Sequence, residues 1–135
     1  MLRANPNAAA RDLWHDRLMR RTVLIVDDHA AFRESAAALL EAEGFAVVGE
    51  AADGGGAIAQ AERLRPEVVL LDIQLPDLDG FAVAERLASG SDPPVVVLIS
   101  SRDAAAYGTR LEAAVAQGFL PKRELSGSAL AALVG

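Results

Sequence analysis

Four short apolar runs, each followed by polar side chains, constrain the fold of this chain most strongly. The runs and the polar residues after them are Val23–Val26 with Asp27 and Asp28, Val68–Leu71 with Asp72, Val95–Ile99 with Ser100, and Gly118–Leu120 with Lys122. Short apolar runs separated by helix-like segments are typical of parallel strands that are buried on both faces. Because parallel strands all end at one edge of their sheet, we expect these polar side chains to meet there.

Three carboxylates, one hydroxyl and one ammonium in one place suit a divalent cation and a phosphoryl group. Two like charges about 4 Å apart cost on the order of 4 kcal/mol at an effective dielectric near 20, so clustered acids need a cation. Oxygen ligands favour Mg²⁺ or Mn²⁺. Aspartates after strands also cap helices, so Asp27 or Asp28 alone would not identify a metal site. Their combination with Asp72, Ser100 and Lys122, the only lysine in the chain, does indicate one.

Composition narrows the class of protein. The chain has 135 residues, which suits one domain, and it is 52% hydrophobic with a mean hydropathy of +0.23. It has no cysteine, which excludes disulfides and thiolate chemistry. It also has no apolar run long enough for a membrane span and no secretory signal pattern. We therefore expect a soluble cytoplasmic protein without a membrane partner.

The net charge of −6 is unevenly distributed. Residues 1–21 carry five arginines and two aspartates, and the remainder is strongly acidic. An acidic domain is a poor binder of nucleic acid, so a protein or a metal ion is the expected partner.

From Thr22 onward, strand and helix patterns alternate five times. The predicted strands are Thr22–Val26, Ala46–Glu50, Glu67–Leu71, Val95–Ile99 and Gly118–Leu120. Five such (βα) units predict an α/β fold with a doubly wound, flavodoxin-like parallel sheet of strand order 2-1-3-4-5. In that order strands one and three are neighbours, which places Asp28 beside Asp72.

The helices are predicted from apolar spacing, caps and breakers. Their expected extents are about Ala30–Glu43, Asp53 to the residue before Pro66, Gly80 to Leu87, Asp103–Ala116 and Leu125–Val134. Asp53 is the expected N-cap of the second of these helices. The second helix starts with Gly54-Gly55-Gly56, each of which costs up to about 1 kcal/mol relative to alanine, so we expect its first turn to fray. This triplet lacks the lysine and the spacing of a phosphate-binding loop.

Residues 1–21 lie outside the strand–helix pattern and are expected to form a flexible N-terminal extension. A helix over Ala8–Arg20 is the alternative, and it would have to bury Trp14 against the domain or a second copy of the chain.

Four motifs together resemble the receiver domain of two-component response regulators, the CheY-like domains. They are Val26-Asp27-Asp28-His29, Leu71-Asp72-Ile73-Gln74-Leu75-Pro76-Asp77-Leu78-Asp79-Gly80, Ile99-Ser100-Ser101 and Gly118-Phe119-Leu120-Pro121-Lys122. Each motif is weak alone, but four in order at this spacing are specific. The resemblance covers residues 22–135, and the Asp-Asp-His and Leu-Pro-Lys sequences are most similar to NarL/LuxR-type receivers.

The resemblance implies a role for each site residue. Asp72 would be the phosphoacceptor for a histidine kinase or a histidine phosphotransfer protein, which makes the domain a self-assisting phosphoacceptor rather than an enzyme. The other implied roles are direct Mg²⁺ ligation by Asp28, Asp72 and the main-chain carbonyl of Gln74, water-mediated ligation by Asp27, and contacts of Lys122 and Ser100 with phosphoryl oxygens.

The resemblance also implies a conformational switch. On phosphorylation Ser100 moves inward and Phe119 rotates into the space it leaves. The face formed by the fourth helix, fifth strand and fifth helix then changes, which would alter homodimerisation or the binding of a downstream protein. Phe119 also fits as an ordinary core residue, and it lacks the hydroxyl of the tyrosine found in many relatives.

Some positions depart from the family pattern or have no assigned role. Arg123 follows Lys122 where many receivers have a proline and a cis peptide. His29 is expected at the rim of the site rather than as a phosphoryl carrier, and Asp79 is expected to cap the helix after Gly80. Because no DNA-binding module follows Gly135, we expect either a stand-alone receiver or part of a larger regulator.

Two other functions are compatible with parts of the sequence. One is a phosphorylation-independent interaction module with the same fold, which the complete acid, serine and lysine set disfavours. The other is a hydrolase that uses an aspartyl phosphate, as in the haloacid-dehalogenase group. Such enzymes need an Asp-x-Asp pattern after the first strand, and Asp27-Asp28-His29 does not fit it.

Overall fold

The computed structural model describes residues 20–135, which form one five-stranded parallel sheet in the order β2-β1-β3-β4-β5. The elements are β1 (Thr22–Val26), α1 (Ala30–Ala42), β2 (Ala46–Ala51), α2 (Gly54–Leu64), β3 (Val68–Asp72), α3 (Gly80–Ala88), β4 (Val95–Ser100), α4 (Thr109–Ala113), β5 (Gly118–Pro121) and α5 (Gly127–Val134). The predicted fold class and strand order are confirmed. No helix within residues 20–135 is both long and apolar enough to cross a bilayer. The proposed helix over Ala8–Arg20 falls almost wholly outside the described residues.

Two apolar clusters cover the two faces of the sheet. Leu24 and Leu71 face a cluster that includes α2 and α3, whereas Ile25 and Leu70 face a second cluster that includes α1 and α5. This division follows from the two-residue side-chain period of a strand, which sends neighbouring residues to opposite faces. Because β1 and β3 are buried on both faces, they read as continuous apolar runs in the sequence.

The helix predicted over Asp103–Ala116 is wrong in its extent. A 3₁₀ turn covers Ala104–Ala106, and α4 has only five residues. Gly108 lies between them with φ = 54°, a left-handed conformation that interrupts a right-handed helix. The last helix also starts later than predicted, at Gly127, where Ser126 accepts a hydrogen bond from the Ala129 amide.

The triple glycine forms the first turn of α2 instead of a loose entry. The Asp53 side chain accepts from the Gly56 amide at 2.6 Å, as its predicted N-cap position requires. The Asp77 carboxylate accepts from the Gly54 and Gly55 amides at 2.7 and 3.0 Å. The chain therefore holds this turn with side-chain acceptors from two aspartates, which supply the restraint that three glycines lack.

Gly80 lets α3 start directly against the end of β3. A Cβ atom at this position would lie 2.5 Å from the Asp72 carbonyl oxygen and 2.5 Å from the Ile73 Cα. Backbone atoms cannot give way as a flexible side chain can, so a glycine is required here. Asp79 caps this helix by accepting from the Phe81 amide at 2.8 Å, as predicted.

Candidate functional site

The register of the sheet places the predicted site residues at one edge. Val26 pairs with Leu71, so the residue after β1 lies beside Asp72 at the end of β3. In β4, Ser100 pairs with Pro121, the residue before Lys122. The side chains after four separate strands are thereby brought to the carboxyl edge of the sheet, where open α/β sheets bind ligands.

Three carboxylates and an imidazole cluster at this edge. One ligand atom each from Asp27, Asp28, His29 and Asp72 lies within 4.8 Å of the others. Asp27 and Asp72 are buried, with 0% and 3% of their surface exposed, whereas Asp28 and His29 lie at the rim. His29 occupies the rim position that was expected of it, and its ring nitrogen Nδ1 lies 3.1 Å from oxygens of both Asp27 and Asp28.

Lys122 inserts its ammonium between the two buried acids. Its Nζ lies 2.5 Å from Asp27 Oδ2 and 3.3 Å from Asp72 Oδ2, and only 15% of its side chain is exposed. The ring of Phe32 covers the ammonium at 4.7 Å from the ring centroid, a cation–π distance. One cation thus bridges two carboxylates that would otherwise repel each other in a region of low water access.

The two acids are held differently. Asp27 Oδ1 accepts from the His29 amide at 2.8 Å, whereas Asp27 Oδ2 is paired with the Lys122 ammonium at 2.5 Å. Asp72 Oδ1 accepts from the Gln74 amide at 3.1 Å. Two buried carboxylates and the exposed Asp28 carboxylate, with ligand atoms within 4.8 Å of one another, are a donor set that fits a hard divalent cation.

Burial and neighbouring charges have opposite effects on the pKa values of Asp72 and Lys122. Burial raises the pKa of Asp72, and the Asp27 charge adds to this, whereas the Gln74 hydrogen bond and the Lys122 charge partly offset it. Burial acts to lower the pKa of Lys122, but the contacts with Asp27 and Asp72 outweigh it and raise that pKa above its ordinary value. Lys122 therefore stays charged.

Ser100 is fully buried at the end of β4 and has an unpredicted partner, Tyr107. The two hydroxyl oxygens lie 2.5 Å apart, and the Arg102 amide donates to the Ser100 oxygen at 3.0 Å. The predicted switch residue Phe119 is half-buried and contacts the Tyr107 ring edge-to-face, with 6.2 Å between centroids. The available sequence signal was that Tyr107 is the only tyrosine of the chain and lies seven residues after Ser100.

The loop at Lys122 carries Arg123 where many receivers have a proline. Residues 122–124 form a 3₁₀ turn, and no peptide bond within residues 20–135 is cis. Arg123, at the position of the usual proline, pairs with Asp103 at 2.5 Å between Nη2 and Oδ1.

Comparison with known proteins supports the resemblance. A protein of Pseudomonas aeruginosa named as a transcriptional regulator is 41% identical over 102 residues, covering 76% of this chain and 49% of that protein. A protein-glutamate methylesterase/protein-glutamine glutaminase of Anaeromyxobacter dehalogenans is 49% identical over 84 residues, covering 60% of this chain and 24% of that protein. The chain thus spans only 49% and 24% of the length of these two relatives.

Solved structures and a family model agree with this. The solved structure of the signal receiver domain of the response regulator NarL from Mycobacterium tuberculosis superposes on this chain with a TM-score of 0.78. The two are 34% identical, and the match covers 85% of this chain and 96% of that one. The model of the response regulator receiver domain matches residues 23–134. Since that match spans nearly all of the described residues, this chain belongs to the response regulator receiver domain family.

Proposed function

We propose that residues 22–135 form a phosphorylation-dependent signalling switch of a two-component system. Asp72 accepts a phosphoryl group from a histidine kinase or a histidine phosphotransfer protein. The observation that most supports this is the position of the Lys122 ammonium, in contact with the buried carboxylates of Asp27 and Asp72. A cation held there neutralises charge that a phosphoryl group would bring.

The transfer needs an ionised Asp72. Its carboxylate oxygen forms a bond to phosphorus as the phosphorus–nitrogen bond of the donor histidine breaks, and the leaving imidazole retains the electron pair and takes up a proton. Lys122 and the Gln74 amide favour the ionised carboxylate against the effect of burial. Lys122 then pairs with a phosphoryl oxygen, and the Ser100 hydroxyl donates to another.

Asp27, Asp28, Asp72 and the main-chain carbonyl of Gln74 would hold Mg²⁺, or Mn²⁺ in its place, with Asp27 acting through water. The bound ion supplies positive charge that offsets the acids and the incoming phosphoryl oxygens. The clustering of the Asp27, Asp28 and Asp72 carboxylates within 4.8 Å supports this assignment.

The output is a change of binding surface. Phosphorylation draws Ser100 inward and repositions Phe119, which alters the face formed by α4, β5 and α5. That face then binds a second copy of the domain or a downstream protein. The domain works in the cytoplasm and assists both its own phosphorylation and its own dephosphorylation.

Phosphorylation by acetyl phosphate tests the proposal. The protein is incubated with acetyl phosphate and Mg²⁺, and intact mass spectrometry counts the added phosphates. We expect one phosphate on the wild type, one on the control Asp92→Asn and none on Asp72→Asn. The control changes an exposed aspartate in the loop before β4, at the opposite edge of the sheet.

Equal phosphate incorporation by Asp72→Asn would contradict the assignment of the acceptor. A wild-type domain that takes up no phosphate in the presence of Mg²⁺ would instead favour a phosphorylation-independent interaction module.

A further inference from the structure

The two hydrogen bonds of the Ser100 hydroxyl leave it with one unused position, which is either its proton or one lone pair. A serine hydroxyl has one proton and two lone pairs. The Arg102 amide occupies one lone pair, and the contact with Tyr107 uses either the second lone pair or the proton. Because Ser100 is fully buried, water does not compete for these positions. Where Ser100 is the donor of this bond, a phosphoryl group that takes the Ser100 proton displaces the Tyr107 hydroxyl; where Tyr107 is the donor, the bond can persist.

Tyr107 is placed to respond to such a competition. Its ring packs edge-to-face between Phe81 at the start of α3 and Phe119 in β5, with centroid distances of 5.9 and 6.2 Å. Ring packing is weakly directional, so the hydrogen bond of the hydroxyl is the directional contact between Tyr107 and the site.

The segment that carries Tyr107 is held by partly buried side chains and exposed ion pairs, and it has no fully buried anchor. Between residues 101 and 117 no side chain is fully buried, and neither the 3₁₀ turn nor α4 has a side-chain N-cap. Segments with few buried contacts open at low free-energy cost. A change at one hydroxyl can therefore move a larger piece of chain here than it could elsewhere in the domain.

We propose that Tyr107 is a positioning residue that holds Ser100 in the unphosphorylated domain. In this proposal Ser100 is the donor to Tyr107 in the unphosphorylated domain; that bond breaks when Ser100 donates its proton to the phosphoryl group instead, and Tyr107 then releases the segment from 101 to 117. The proposal rests on the function proposed above and adds a residue to it.

Fluorine NMR tests the bond directly because the chain has one tyrosine. Protein labelled with 3-fluorotyrosine gives one tyrosine resonance, and beryllofluoride with Mg²⁺ serves as the phosphoryl mimic. The bound fluorides give their own signal in the same spectrum. We expect the tyrosine resonance to shift as that bound signal grows.

The two signals separate the two proposals. Absence of a bound-fluoride signal would count against the phosphoryl site itself. A bound-fluoride signal with an unmoved tyrosine resonance would overturn the role of Tyr107 alone.

Paired serine variants of the labelled protein provide the control. Ser100→Ala should shift the tyrosine resonance without any ligand, because the hydroxyl loses its partner. Ser101→Ala removes the neighbouring exposed hydroxyl and should leave the resonance in place. The same response from both variants would contradict a specific bond to Ser100.

Tyr107→Phe keeps the ring and removes only the hydroxyl. Since a net hydrogen bond no longer has to break, we expect beryllofluoride to bind about 2- to 10-fold more tightly than to the wild type. Unchanged or weaker binding would overturn the proposal. If this variant does not fold, the serine pair and the fluorine titration still decide the question.

Discussion

The two sides of the site hold their loops by different means. On one side, the starts of α2 and α3 and the loop that follows Asp72 are fixed by carboxylates that accept backbone amides; we refer to residues 53–56 and 72–81 as the clamped side. On the other side, residues 101–117, the open side, reach the site through the Tyr107 hydroxyl and the Arg102 amide, which both contact Ser100. The same sheet edge therefore carries one rigid border and one weakly attached border.

On the clamped side, one carboxylate accepts hydrogen bonds from several backbone amides. Asp77 accepts from three amides, those of Gly54, Gly55 and Leu78. Hydrogen bonds from amides to an ionised carboxylate are stronger than bonds between neutral groups. They also lower the pKa of Asp77, chiefly through the Gly54 and Gly55 amides. This side can keep its geometry while the charge at Asp72 changes.

The open side depends on exposed contacts. Besides Tyr107, Arg110 stacks on the Phe81 ring at 4.4 Å and pairs with Asp79, and Arg123 pairs with Asp103. Exposed ion pairs contribute about 0–1 kcal/mol each. The difference teaches where a switch can be placed: the border with few buried contacts moves, and the clamped border serves as its fixed reference.

Hydrogen exchange should give the largest contrast between the two sides. We expect the amides of Gly54, Gly55 and Gly56 to exchange at least about 100-fold more slowly than the amides of α4, relative to unprotected chain. First-turn amides of an ordinary helix lack such protection. NMR-detected exchange measures both sets in one experiment, and equal rates would remove the distinction.

Alanine substitutions at Gly54 and Gly55 should test how tightly the clamped side is packed. A Cβ at position 54 would lie 2.9 Å from Leu78 Cβ and Val83 Cγ2, so Gly54→Ala should destabilise the domain by about 1–3 kcal/mol. At position 55 the nearest atom, an Asp77 oxygen, lies at an ordinary 3.5 Å. Gly55→Ala should therefore stabilise by up to about 1 kcal/mol through lower chain entropy when unfolded. Urea unfolding distinguishes them, and effects of the same sign would contradict the packing shown here.

Removal of the clamping carboxylate should have the smallest effect, and that effect should depend on pH. Because folding lowers the pKa of Asp77, its stabilisation is fully present above the unfolded pKa of about 3.9 and is lost as the pH falls through the folded pKa. Asp77→Ala should thus lower the urea midpoint at pH 7 and approach the wild type in acid.

Asp77→Asn is the matched control for this prediction, because it keeps an acceptor oxygen but no charge. At pH 7 the urea midpoint of Asp77→Asn should lie below that of the wild type and above that of Asp77→Ala. A gap between wild type and Asp77→Ala that stays constant with pH would show that ionisation of Asp77 is not involved.

Much of the fold could be predicted because it depends on local patterns. The continuous apolar runs predicted that β1 and β3 are buried on both faces. The polar residues that follow these runs predicted the edge of the sheet at which the site lies. Asp53 and Asp79 were recognised as helix caps from their positions alone, since an N-cap needs only the amides two or three residues further on. The family motifs then assigned roles to residues that the sheet brings together.

The contacts that could not be predicted join residues distant in sequence or depend on side-chain placement. Asp77 clamps amides 22 and 23 residues earlier, and no local pattern marks it as a cap for α2. Helix propensity favoured one long helix from Asp103, yet Gly108 divides it. Tyr107 reaches Ser100 only because Phe81 and Phe119 form the space for its ring.

The sequence by itself determined the parallel sheet, its strand order and the acidic edge, because alternating apolar runs and helices leave few ways to bury the strands. Tertiary structure alone decided how the two borders of that edge are held and which hydroxyl meets Ser100. The physical reason is that hydrogen bonds and ring contacts require placement within a few tenths of an ångström, which is set by packing across the whole domain and not by the residues nearby in the chain.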